Sequence, residues 1–298
     1  MKTKKLDPVV EMYMEHLGEV RRSSKRSLAD RRCTFRRVAA AMENIRPGTP
    51  LWKLALDDYL VWINRERDAG SSVRTLSKHI SYLRGLLDYA WRGKKAERNV
   101  LDGFTLKDSI RPEEPTSLTL EEAGKLVEVC REMPRRDRVI VLIFYGCGLR
   151  TAELCQLSVR DLDLERQEVE VRFGKGGRQR RVPVPDGVWT EILAYLAERK
   201  GKRGPLFRTR AKRRRIGSRE VSGVVKEAAR RAGIQKKVTP KVLRHTFATH
   251  LMDLGVALPV ISSLLGHKGI AETGVYLHSL PGRLEGAIDK LPGLKEVK

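Results

Sequence analysis

At 298 residues the chain exceeds what a single hydrophobic core usually organises, so two domains are expected. Its 60 Lys and Arg against 37 Asp and Glu leave a net charge of +23 at pH 7, far above the need for solubility, and a field of that sign favours a polyanion such as nucleic acid. No apolar run approaches the ~20 residues of a spanning helix, and no apolar stretch follows the N-terminal lysines; this argues against a membrane-spanning or secreted protein and for a cytoplasmic one.

Residues 1–106 hold 22 basic against 13 acidic side chains and residues 107–298 hold 38 against 24, so both parts can meet phosphates. In chain order, amphipathic helices are expected over residues 6–17, 27–42, 55–68 and 72–91, with breaks at Arg46-Pro47-Gly48 and at Ala69-Gly70-Ser71-Ser72. The polar segment 107–117 carries two prolines and loses the helical period, which suits an extended linker between an N-terminal domain (1–106) and a C-terminal one (118–298).

After the linker, Thr119 can cap a helix with Glu122 answering three residues later. Residues 138–145 are apolar all round, as in a central buried helix that ends at Gly146 or Gly148. Only residues 159–184 read as strand, with Gly174-Lys175-Gly176-Gly177 as a turn. Helices resume over 186–200, 218–232, 240–254 and 258–265, so the fold expected is mainly α with a small antiparallel β-sheet. Cys33, Cys130, Cys147 and Cys155 lack Cys-x-x-Cys spacing, and three of them lie in apolar helical patterns; buried free thiols are expected rather than disulfides or zinc ligands.

Several residues can carry chemistry. Arg150 opens a helix just after Gly148, where backbone N–H groups also favour an anion; an Arg150–Glu153 surface pair is the competing reading. Thr239 and Pro240 specify another helix start, and the spacing of Lys241 and Arg244 sets both cations on one face of its first turn, as a phosphate requires. His245 and His250 are five apart with no Glu between them, which points to packing rather than metal. Leu265-Gly266-His267 precedes Tyr276 through a partly polar segment.

Together, Gly148-Leu149-Arg150-Thr151-Ala152-Glu153-Leu154, the hairpin Lys175, Leu243-Arg244-His245-Thr246-Phe247-Ala248-Thr249-His250-Leu251, Leu265-Gly266-His267 and Tyr276 resemble the tyrosine recombinase (phage integrase, Xer-like) family in order and spacing over nearly the whole chain. The resemblance implies a helical core-binding domain, then a catalytic domain in which Arg150 and Arg244 clamp the scissile phosphate of DNA, with Glu153 in support. His267 would donate a hydrogen bond to the same phosphate. Lys175 would be the general acid and Tyr276 the nucleophile, giving a 3′-phosphotyrosine and a Holliday junction without metal, ATP or other cofactor. Where the family most often has histidine this chain has Lys241. Lysine is ordinarily charged at neutral pH, so Lys241 is read as a phosphate donor rather than a base.

Arg178, Arg180 and Arg181 beside the hairpin, and Arg213 and Arg214 in the basic run 212–215, are expected to touch the DNA backbone. The resemblance also implies double-stranded DNA with specific recombination sites as partner, no membrane, and a homotetramer on DNA formed from monomers. A tail helix over 281–291 would dock on a neighbouring protomer, or else on its own domain. The alternative is a DNA-binding or architectural protein with a vestigial active site.

Overall fold

A computed structural model describes residues 6–106, 116–172, 179–199, 201, 203–211 and 214–266. The chain divides into two compact units, Met1–Pro112 and Glu113–Lys298. Most of the expected linker, the hairpin tip, His267, Tyr276 and the expected tail helix lie outside the described residues.

The first unit contains α1 (Pro8–Glu19), α2 (Lys25–Met42), α3 (Leu56–Asp68) and α4 (Val73–Arg92). Each start has a local cause. Asp7 accepts from the Val9 N–H with Pro8 in the first turn, Ser24 accepts from Ser27, and Ser72 accepts from Thr75. The first helix therefore begins two residues later than periodicity alone suggests, and the second two residues earlier. In α3 the Asp58 carboxylate accepts the Ala55 N–H at 3.0 Å. Phe35, Tyr59, Trp62, Leu76, Leu83, Leu86 and Leu87 fill the core between these helices.

The second unit is built on α6 (Arg135–Cys147), which packs against α5 (Leu120–Cys130), α8 (Asp186–Glu198), α9 (Ser218–Arg231) and α10 (Pro240–Asp253). Val139, Ile140, Val141, Ile143 and Phe144 are all buried, and only the face of Arg138, Leu142 and Tyr145 is partly exposed, so the apolar run in the sequence reflects neighbours on most sides of α6. Thr119 and Glu122 form the reciprocal cap of α5, at 3.1 and 2.8 Å.

Between α7 (Thr151–Gln156) and α8 lies an antiparallel sheet in the order β1 (Leu162–Asp163), β2 (Glu168–Val171), β3 (Arg180–Pro183), with Val169 opposite Val182 and Val171 opposite Arg180. Along β2 and β3 the buried residues Val169, Val171 and Val182 alternate with more exposed ones, the pattern of a sheet with one face on the core. The helix α11 (Leu258–Leu265) packs on α10 through Phe247, Ala248, Ile261 and Leu265.

His250 is a packing residue. Its Nε2 donates to the Leu118 carbonyl at 2.9 Å, which leaves Nδ1 to accept from the Tyr145 hydroxyl at 3.0 Å. Thr246, one turn earlier, accepts the Leu118 N–H at 2.9 Å, so α10 fastens the incoming chain by both backbone groups of Leu118. Among the described residues no helix is long and apolar enough to cross a membrane.

Candidate active site

The site begins where α6 stops. Gly148 takes the left-handed conformation (φ 58°, ψ 29°), and a Cβ there would lie 2.4 and 2.7 Å from ring carbons of Phe247. This turn drops Leu149 into the core and delivers Arg150, in extended conformation, to the start of α7. Alanine at 148 would combine a disfavoured backbone with a core clash. Gly148→Ala is thus expected to lose roughly 2 to 5 kcal/mol of stability. Urea midpoints check this, with Gly187→Ala as control: a Cβ there meets nothing within 4 Å, and its change should stay within about 0.5 kcal/mol.

Glu153, three residues on, has a side chain only 1% exposed and four short contacts. Its Oε2 accepts the Arg150 N–H at 2.8 Å, fixing the helix start, and its Oε1 accepts from Arg150 Nη1 at 2.9 Å. Arg180 on β3 donates to both oxygens, Nη1 at 2.9 Å and Nη2 at 2.8 Å. Arg244 Nη1 lies 4.0 Å from Oε2. Burial alone would raise the Glu153 pKa; the Arg180 guanidinium, the Arg150 N–H and the Arg150 side chain outweigh it and hold the carboxyl below its ordinary range. One carboxylate among three guanidinium groups leaves a partly buried cluster with excess positive charge. Such a cluster is complementary to an anion.

Arg244 rises from the first turns of α10, whose start is set by Thr239 accepting the Val242 N–H at 3.2 Å and by Pro240. It is 8% exposed. Its Nη1 donates to the Gly148 carbonyl at 2.6 Å and its Nη2 to the Leu265 carbonyl at 2.8 Å. Arg150 Nη2 donates to the next carbonyl, Gly266, at 3.2 Å, and Arg180 Nε to the preceding one, Leu264, at 2.9 Å. Carbonyls at the end of a helix have no intrahelical partner and carry its negative pole. Here three arginines from three elements satisfy three successive ones. Gly266 is left-handed (φ 65°), and His267 follows it directly in the sequence.

The structure thus brings Arg150, Glu153 and Arg244 together, and adds Arg180. Arg180, expected as a backbone-phosphate contact, is 11% exposed and bonded to Glu153 and to the Leu264 carbonyl. Strand alternation carried the signal, since Arg180 shares the inward face of β3 with buried Val182, whereas Arg181 between them is exposed. Arg214 is exposed; its neighbour Arg215 is structural, donating to the Cys155 and Leu157 carbonyls at 3.1 Å each. Lys175, Arg178, Arg213, His267 and Tyr276 lie outside the described residues.

Lys241 and Arg244 differ in depth, the lysine exposed and the arginine buried. His245, next to Arg244 and one turn beyond Lys241 on α10, has its pKa pushed down to about 4 by burial, then by the charges of Lys241 and Arg244. It is neutral at pH 7. The Glu153 pairing also merges two readings of the sequence, because Arg150 does pair with Glu153, but on a buried carboxylate shared with Arg180 rather than at the surface. Among the described residues no group of three His, Cys, Asp or Glu side chains converges as metal ligands would.

The profile of the phage integrase family matches residues 116–283. The tyrosine recombinase XerA of Pyrococcus furiosus is 36% identical over 236 residues, covering 78% of this chain and 79% of that protein. A tyrosine recombinase of Pseudothermotoga lettingae is 29% identical over 288 residues, covering 96% and 99%. Among solved structures, the integrase of transposon Tn1549 in complex with transposon right end DNA superposes with a TM-score of 0.75 at 21% identity, over 94% of this chain and 98% of that one. At that identity the superposition speaks for the fold.

Proposed function

Because the chain belongs to the phage integrase family, whose tyrosine recombinases cut and rejoin DNA, we propose that its arginine cluster is the scissile-phosphate site of a site-specific recombinase. The observation that carries this reading is the placement of Arg150 and Arg244 on one buried carboxylate, beside the chain that enters His267.

In this mechanism the two guanidinium groups bind the non-bridging oxygens and His267 adds a hydrogen bond. The Tyr276 hydroxyl attacks phosphorus, forming the phosphotyrosine ester as the bond to the 5′ oxygen breaks. Lys175 gives that oxygen its proton. Lys241, exposed on the rim beside Arg244, adds positive charge where the transition state gathers negative charge. The ester keeps the energy of the broken bond, so a free 5′-hydroxyl from a partner strand reverses the step and exchanges strands, with no ATP consumed.

Exposed Arg181 and Arg214, with Arg178 and Arg213, supply backbone contacts. Four protomers assemble on two DNA sites from monomers, the 1–106 domain and the 118–298 domain both touching DNA. Buried free thiols at Cys130, Cys147 and Cys155 agree with action in the reducing cytoplasm.

The test uses a pool of nicked duplexes with a randomised core. The wild-type chain is expected to form covalent adducts on the 3′ end of the cut strand, leaving a 5′ end that polynucleotide kinase labels without prior phosphatase. Retarded but never covalently bound DNA would establish an architectural protein instead.

A further inference from the structure

Arg180 has no part in the mechanism above, yet it is the most committed side chain of the cluster. It holds both oxygens of Glu153 and the Leu264 carbonyl, with every nitrogen of its guanidinium engaged. Its side chain also lies flush beneath Gly266: a Cβ on that glycine would come within 2.8 Å of Arg180 Nη1 and 3.0 Å of its Cδ.

We propose that Arg180 is a positioning residue for DNA cleavage, which clamps Glu153 and the C-terminal end of α11 so that Arg150 and the chain entering His267 are held in register. The proposal rests on the recombinase reading.

Two physical arguments support it. The first is orientation. A carboxylate held by a single arginine can swivel, but the fork of Arg180 fixes the Glu153 plane, and that plane sets the two bonds from Glu153 to Arg150. The second is charge. With Arg180 present, the Glu153 negative charge is matched by Arg180, and the positive charges of Arg150 and Arg244 remain for a phosphate. Without it, the same carboxylate would neutralise Arg150 in a low-dielectric site, where such pairing is strongest. A lone contact to the end of α11 would be ordinary helix capping. Three arginines on Leu264, Leu265 and Gly266 make the end of that helix a joint between β3, α7 and α10, immediately before His267.

The competing role, a DNA phosphate contact, predicts a different kinetic signature. A lost phosphate contact weakens binding and makes the slope of log affinity against log salt shallower by about 0.9. It leaves cleavage at saturating protein near the wild-type rate. A positioning residue does the reverse.

The experiment compares the wild type with Arg180→Gln, Arg180→Lys and the double variant Arg180→Gln with Glu153→Gln. The substrate is a nicked duplex recovered from the randomised pool by covalent capture on the wild type. Expected for Arg180→Gln are an unchanged dissociation constant and salt slope, and a single-turnover rate at saturation lower by about 100-fold. Arg180→Lys, which retains the charge and most of the packing stem, should fall between the two. Adding Glu153→Gln should recover about tenfold, because no carboxylate then competes for Arg150. Weaker binding with a shallower salt slope and a normal rate at saturation would overturn the proposal in favour of a phosphate contact. Equal losses in the Gln and Lys variants with no recovery in the double variant would reduce Arg180 to a fold residue. Failure of the wild type itself to form an adduct would bring down the recombinase reading, and this role with it.

Discussion

Tyr276→Phe is expected to abolish covalent adduct formation completely while leaving affinity for the same duplex unchanged. The substitution removes one oxygen atom and no charge, so the arginine cluster and the backbone contacts persist. Attack on phosphorus, however, has no substitute nucleophile. The other tyrosines of the second unit have partners of their own. Tyr145 bonds His250 and Tyr195 donates to the Leu206 carbonyl, and burial raises the pKa of both phenols. Gel-shift and adduct assays on one substrate separate the two expectations. Residual adduct in the Phe variant would mean that another residue attacks.

Arg244→Ala is expected to lower single-turnover cleavage by about 1,000-fold, the upper range for removing one preorganised donor from an oxyanion site. Two effects compound. The guanidinium proposed to meet the developing charge is gone, and the Gly148 and Leu265 carbonyls lose their donor, which loosens both segments that they belong to. Arg244→Lys keeps one positive charge but cannot bridge two carbonyls and a phosphate, so it should remain at least about 100-fold impaired. If both variants cleave normally at saturating protein and only bind more weakly, Arg244 contributes affinity rather than transition-state stabilisation.

Much of the fold was legible because its causes are local. Ser72, Thr119 and Thr239 announce helix starts by their side chains, and the apolar stretch of α6 announces a central helix buried on most of its sides. The association of Arg150 with Arg244 was legible through the order of motifs. Three features were not. The bonds from Thr246 and His250 to Leu118 span 128 and 132 residues, beyond any local period. The different depths of Lys241 and Arg244 depend on what packs over the first turn of α10, which one-face spacing does not encode. Arg180 was grouped with Arg181 because composition treats adjacent arginines alike, whereas strand geometry sends them to opposite faces. Reading the alternation from Val182 backwards would have separated them. The need for a clamp on Glu153 appears only once three guanidinium groups are seen around one carboxylate.

The central claim, that DNA is cut by transfer to Tyr276 under the arginine cluster, is tested most directly by locating the covalent link. Tryptic digestion of the wild-type adduct, trimmed with nuclease, should yield the peptide spanning residues 269–283 carrying a nucleotide on Tyr276, its sole tyrosine. A nucleotide on any other residue, or its persistence in Tyr276→Phe, would contradict the account.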